Sequence, residues 1–277
     1  MKVLVIGATG LLGKPVVEKL VENGYDVRLF SRSVKKATWA ENYETMEGDV
    51  MKRTDITKAM KGCDAIHISI SNVDEAIAVE HVVNEAKKHN VKLISYVSGC
   101  SVCEENRNYW LIDNKLRAER VLRDSGIPHF IYKPTWFFES LSMMIRHGKA
   151  TVLGKKLPEF NWVAASDLGR IVVHSYKSGS KDRTIYIYGP EKRHMKDLLE
   201  KYCHEFHPEI KRVSVISTGM LKFIGTITKN QQAKLAAELF SYFEKVEEPR
   251  IEKRELLPES APDTTFEFWI NSKKNPI

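Results

Sequence analysis

Cysteine is scarce, with four in 277 residues. That is too few to staple a disulfide scaffold, so a reducing compartment and a cytoplasmic location are expected. Long apolar runs are also missing. No stretch approaches the roughly 18 uninterrupted apolar residues of a transmembrane helix. The run Val3-Leu4-Val5-Ile6 stops at Gly7, too short for the apolar region of a signal peptide. On these grounds no membrane role is expected. The chain has no internal repeat and no low-complexity tract. Nothing in it resembles a helix-turn-helix or an aromatic-studded basic platform, so nucleic acid is not an expected partner. One CxxC is present, Cys100-x-x-Cys103, whereas zinc needs four ligands. Cys203, His204 and His207 lie far along the chain. No metal is expected, and a reactive thiol is the better reading of Cys100.

What is present describes an ordinary globular chain. Hydrophobic residues make up 43% and charged residues 29%, which excludes intrinsic disorder. Lys+Arg number 43 against 36 Asp+Glu, a net charge of +7. Residues 191–277 hold 15 Lys+Arg and 14 Asp+Glu, which leaves 28 against 22, or +6, in residues 1–190. An anionic ligand on the first part of the chain fits that split, as does a scatter of surface lysines.

The first 35 residues read as a strand, a glycine-rich turn, a helix and a second strand. Lys2 to Ile6 is a buried-strand run; Val16, Val17, Leu20 and Val21 have helical spacing; Val27 to Phe30 is the next strand. The alternation continues to residue 134. Strands are predicted near 43–47, 65–70, 91–97 and 129–132, and helices near 56–60, 74–89 and 114–125. This rhythm predicts an α/β fold, a Rossmann-type doubly wound parallel sheet with a smaller helix-rich C-terminal lobe. After Pro134 the pattern weakens. A helix is expected over 136–147, a loop or hairpin over 151–158, a helix over 166–176 and a strand over 184–188. Helices are expected near 197–206, 220–227, 230–246 and 263–270. Residues 1–137 and 161–190 are assigned to the dinucleotide domain, and 138–160 and 191–277 to a substrate or partner lobe.

Gly7-x-x-Gly10-x-x-Gly13 stands between a strand and a helix, the context that gives such a motif meaning. A turn without Cβ atoms lets backbone approach a pyrophosphate, and the helix N-terminus offers free N–H groups to it. The second strand ends in Ser31-Arg32, with Lys35 and Lys36 behind and no acid until Glu41. An NAD site wants a carboxylate there for the ribose 2′-OH, whereas a guanidinium suits a 2′-phosphate. NADP is therefore expected rather than NAD; the other reading of Arg32 is a solvent-facing or adenine-stacking side chain. Asp49 would reach the adenine amino group or simply form a turn.

These segments, with Lys115-x-x-x-Glu119, Ser125-Gly126-Ile127-Pro128 and Lys133-Pro134-Thr135-Trp136-Phe137, resemble the atypical, NmrA-like branch of the short-chain dehydrogenase/reductase superfamily. The resemblance covers residues 1–140 well. It implies cofactor contacts at Gly7, Thr9, Gly10, Leu11, Leu12, Gly13, Arg32, Asp49, Val50, Ser71, Ser98, Lys115, Pro134 and Thr135, and substrate contacts at Trp136 and Phe137. In the superfamily a Tyr precedes the catalytic Lys by four residues, one helical turn away on the same face. Here that position is Leu111, and Tyr109 is six before Lys115. The resemblance thus implies Lys115 as the catalytic residue, alone or with a water. The expected reaction is hydride transfer from NADP(H) to a small carbonyl, enone or quinone-like acceptor. A non-catalytic dinucleotide-binding sensor and a sugar-nucleotide epimerase or dehydratase are the alternatives. A protein partner or a homodimer stays open.

Overall fold

The computed structural model describes residues 1–71, 74–249 and 261–274. They form two compact units. Met1–Pro134 and Ala165–Ile187 build the first; Thr135–Ala164, 188–249 and 262–274 build the second.

The first unit runs β1 (Lys2–Ile6), α1 (Gly13–Glu22), β2 (Asp26–Ser31), β3 (Glu44–Glu47), α2 (Arg53–Met60), β4 (Ala65–Ile68), α3 (Glu75–Lys88), β5 (Leu93–Val97), α4 (Trp110–Arg123) and β6 (His129–Pro134). After an excursion through β7 (Trp136–Phe137), β8 (Ile145–Arg146), β9 (Lys149–Leu153) and β10 (Phe160–Val163), the chain returns as α5 (Ala165–Lys177) and β11 (Arg183–Ile187). The seven strands of this unit pair in the order β11-β6-β5-β4-β1-β2-β3, all parallel. The order reverses between β1 and β4. In such sheets ligands bind outside the carboxyl ends of the strands at this reversal. The central strands are apolar on both faces, as a sheet covered by helices on both sides requires. Leu4, Ile6, Ile66, Ile68 and Ile94 pack with Val79, Val82 and Ala86 of α3 into one core.

A buried histidine sits inside this sheet. His67 of β4 is fully buried, its Nδ1 2.8 Å from Ser95 Oγ, which is 2.7 Å from Tyr176 Oη of α5. Its Nε2 has no partner among the described residues. Burial pushes the imidazole down to about 3. The fold therefore holds the neutral ring, while the unfolded chain takes up a proton below about 6.5. This contribution is whole above that pH and is lost as pH falls toward 3. About 3 kcal/mol should be gone by pH 4. His67→Gln is expected to flatten the fall in urea-unfolding stability across that range; an unchanged slope would contradict this account.

The second unit continues with β12 (Glu191–Arg193), α6 (Met195–Phe206), β13 (Val213–Ile216), α7 (Thr218–Ile227), α8 (Gln231–Phe243) and α9 (Phe266–Lys274). It contains two three-stranded sheets, β12-β10-β7 and β13-β9-β8. The helix expected over 136–147 is replaced by two short strands around a 3-10 segment, Phe138–Met144. The reason is tertiary. Trp136 pairs in register with Trp162, and its ring packs against Phe160, Trp162, Phe240 and Phe243 at centroid distances of 4.9–6.0 Å. That pairing overrides a helical spacing. The Pro- and Glu-rich stretch before Asp263 lies largely outside the described residues. No described helix is long and apolar enough to cross a membrane.

Candidate functional site

The glycine turn follows β1 at the carboxyl edge of the sheet. Gly7 has φ +83, and a Cβ there would stand 2.0 Å from the Ser69 carbonyl oxygen at the end of β4. A Cβ on Gly13 would stand 2.0 Å from the Ala8 oxygen. Both positions exclude a side chain, so α1 lies tight against the turn and the turn tight against β4. Leu12 is the N-cap of α1 and makes no side-chain cap; the first turn carries no acid. An uncapped helix start of this kind offers N–H groups and a positive dipole end to an anion. This is a cradle that fits a pyrophosphate. Leu11, beside it, is 40% exposed.

Three hydroxyls gather where β2 ends. Thr9 Oγ1 donates to Ser31 Oγ at 2.8 Å and lies 3.2 Å from Ser33 Oγ. Arg32 is exposed between the two serines. Asp49 is occupied locally. Its Oδ1 accepts from the Met51 N–H at 3.0 Å, which is the turn-forming role. Val50 leans on the core. Ser71 is exposed on the stretch after β4.

The densest chemistry lies between α3, β5 and α4. Glu75, the first residue of α3, is fully buried. Its Oε1 accepts from Lys115 Nζ at 2.7 Å and from Tyr96 Oη at 2.5 Å, while Oε2 has no partner among the described residues. The Lys115 ammonium also stands 5.4 Å over the Tyr96 ring. Burial, and then the Glu75 charge, hold the Tyr96 phenol well above its usual range. The α3 start is tied to α4 once more: the Ala76 N–H donates to Asn114 Oδ1 at 2.8 Å. A parallel arrangement surrounds Glu119, one turn further along α4. It accepts from Ser98 Oγ at 2.5 Å and Arg123 at 2.9 Å, and Lys133 Nζ lies 3.1 Å away. Lys133 donates as well to the Val102 carbonyl.

A model of the family described as NAD(P)H-binding matches residues 7–177, more than half of the chain. The chain belongs to the NAD(P)H-binding family. Among known proteins it is 22% identical over 242 residues to a photosystem II assembly factor Ycf39 of Trieres chinensis, covering 82% of this chain and 76% of that one. Among solved structures it resembles a nucleoside-diphosphate-sugar epimerase of Staphylococcus aureus, with TM-score 0.75, 18% identity and coverage of 98% and 99%. It also resembles an NADPH-dependent quinone oxidoreductase of Escherichia coli, complexed with NADPH, with TM-score 0.71, 21% identity and coverage of 99% and 100%. At these identities the likeness is one of fold.

Within this NAD(P)H-binding fold, the structure brings Gly7, Thr9, Gly10, Leu11, Leu12 and Gly13 together with Arg32 at the ends of β1 and β2. Ser98 and Lys115 follow β5, each held by a separate carboxylate. Pro134 ends β6, and its carbonyl accepts from the Cys100 N–H at 2.9 Å. Thr135 is buried, and its Oγ1 has no partner among the described residues. Trp136 belongs to the aromatic packing of the second unit, and Phe137, buried, pairs in register with Val163. Cys103 is half-buried, and burial pushes its thiol up, away from the reactive thiolate. Helix α4 starts at Trp110, four residues earlier than expected, with Tyr109 as N-cap and Leu111 one turn before Lys115. Glu75 and Tyr96 were not legible as site residues. A first-turn acid looks like any helix start, and a strand tyrosine like any core aromatic.

Proposed function

We propose that the chain is an NADP(H)-dependent oxidoreductase that reduces a small carbonyl, enone or quinone-like acceptor. The observation that carries this reading is Lys115. It lies on α4, the helix that follows β5, and its ammonium is fixed by the fully buried carboxylate of Glu75 on α3. A lysine at that place in short-chain dehydrogenase/reductases orients the nicotinamide ribose. When bound, the reduced cofactor supplies hydride from its nicotinamide ring.

The chain's own residues supply the rest. The turn N–H groups before α1 bind the pyrophosphate. Arg32, with the hydroxyls of Thr9, Ser31 and Ser33, pairs with the 2′-phosphate. Lys115 orients the ribose and offers a proton, directly or through a water, to the acceptor oxygen as negative charge grows there. Glu75 fixes where that ammonium stands.

Fluorescence titration with NADPH and NADH tests the cofactor choice. Arg32→Ala should weaken NADPH about tenfold, the scale of one charged hydrogen bond, and leave NADH unchanged. Equal or tighter binding of NADH by the parent protein would sink the Arg32 argument. NADPH oxidation with a panel of quinones and carbonyls, beside Lys115→Ala, tests turnover. The kinship with proteins named as photosystem II assembly factors favours a second reading, a dinucleotide-binding protein acting through a protein partner. Tight NADPH binding without turnover on any acceptor would select it.

A further inference from the structure

Strand β5 delivers two side chains to one face of the sheet at its carboxyl edge. Tyr96 and Ser98 are two residues apart, and the ladder runs on through Ser98, whose N–H donates to the Tyr132 carbonyl at 2.8 Å. Each meets a charged group that α4 carries or holds. Tyr96 meets the Glu75–Lys115 pair, and Ser98 meets Glu119, one helical turn beyond Lys115. Lys115 and Ser98 therefore belong to one patch of the edge outside which ligands of such sheets bind.

The two groups have opposite hydrogen-bonding characters. A hydroxyl has one proton and two lone pairs. The Ser98 proton is committed, since Oγ donates to Glu119 Oε1 at 2.5 Å. Glu119 is a fully buried carboxylate, paired with Arg123 at 2.9 Å and Lys133 at 3.1 Å, and it can only accept. Lys133 is buried as well and donates to the Val102 carbonyl at 2.7 Å, which anchors this arrangement. Among the described residues no group donates to Ser98 Oγ. Its lone pairs are what Ser98 has left to offer a ligand. Lys115 is the reverse. Its ammonium has donors alone, one of them given to Glu75.

We propose that Ser98 sets the substrate class of this site: it accepts a hydrogen bond from a hydroxyl beside the carbonyl that faces Lys115, so the acceptor is an α-hydroxy carbonyl compound. The inference rests on the oxidoreductase reading above. A carbonyl oxygen has lone pairs only and would set them against those of Ser98, so that oxygen belongs on Lys115. A hydroxyl on the adjoining carbon brings Ser98 the proton it lacks. The donor and the acceptor of the protein thus meet an acceptor and a donor of the substrate. Reduction of one carbonyl consumes one NADPH and one proton and yields a vicinal diol and NADP.

The test is NADPH oxidation by the full chain with three ketones of like size, hydroxyacetone, methoxyacetone and butanone. Methoxyacetone keeps the electron-withdrawing oxygen and lacks its proton; butanone lacks both. kcat/KM is expected to be about tenfold or more higher for hydroxyacetone than for the other two, the scale of one hydrogen bond to a group otherwise left unmet. Ser98→Ala should bring hydroxyacetone down to the level of methoxyacetone, and Ser98→Thr should restore the gap. Circular dichroism establishes that each variant is folded. The parent's ranking of the three ketones decides by itself if Ser98→Ala fails to fold. Turnover of any carbonyl or quinone without the preference for hydroxyacetone, or a preference that survives in Ser98→Ala, would overturn this inference and leave the oxidoreductase reading standing. No turnover of any acceptor would overturn both. A loss of NADPH affinity in Ser98→Ala that spares the 3-acetylpyridine analogue, which lacks the carboxamide N–H, would put Ser98 on the cofactor and overturn the inference too.

Discussion

Lys115→Met is expected to lower unfolding stability by about 3 kcal/mol, because it leaves a fully buried Glu75 carboxylate without its cation. Tyr96 would remain as the carboxylate's donor, at 2.5 Å. Glu75 Oε2 is already without a partner among the described residues, so the charge has little other compensation. Glu75→Gln with Lys115→Met removes both charges and should recover most of the loss, since a buried pair replaced by neutral groups of similar size is often nearly neutral. Urea unfolding of the two single variants and the double variant measures this coupling. The double variant also separates structure from chemistry. It should fold, bind NADPH and show no NADPH-oxidising turnover. A double variant as unstable as Lys115→Met would mean that the pair is not what holds α3 to α4. A stable double variant with full turnover would remove Lys115 from the proposed mechanism.

The second large effect belongs to the glycine turn. Gly13→Ala places a methyl group 2.0 Å from the Ala8 oxygen and 2.4 Å from the Ala8 carbonyl carbon. Neither atom can move without shifting β1 or α1. Stability should fall by about 3 kcal/mol, and the NADPH fluorescence signal should be lost with it. Gly24→Ala is the matched control. Gly24 has φ +80 but open space around its missing Cβ, so the substitution should cost about 1 kcal/mol of backbone strain and leave binding intact. If both variants behaved alike, the close approach of α1 to the turn would not be what shapes the site.

The first unit was legible because its signals are local and repeated. A β-branched run, a turn whose glycines are required, and a helix ended by glycine recur along residues 1–134, and the parallel order follows from that rhythm. As candidates, Arg32 was legible from its place at the end of β2, and Lys115 from the resemblance to the superfamily's catalytic lysine. The partner of Lys115 was not. Glu75 is 40 residues away in sequence, and only the packing of α3 against α4 brings it near. The second unit was hard to read for a related reason. Phe160–Val163, Glu191–Arg193 and Val213–Ile216 are short strands of three or four residues, below the length at which alternation can be told from chance. They are strands because of what they pair with. Trp136 shows the same effect from the other side, as its place opposite Trp162 undoes a helix that its own neighbours suggest.

The excursion from Thr135 to Ala164 has a consequence for how this chain comes into being. Strand β6 is finished at Pro134, but its outer edge is covered only by β11, where Arg183 to Ile187 pair with Phe130 to Pro134. The face of α1 is likewise closed only by α5, where a Cβ on Gly169 would stand 2.8 Å from the Pro15 carbonyl oxygen. During synthesis the cofactor-binding half therefore waits, with an open parallel edge, until residue 187 has cleared the ribosome. A fragment ended at 134 would carry the whole glycine motif and still lack the strand that shields it from pairing with its neighbours.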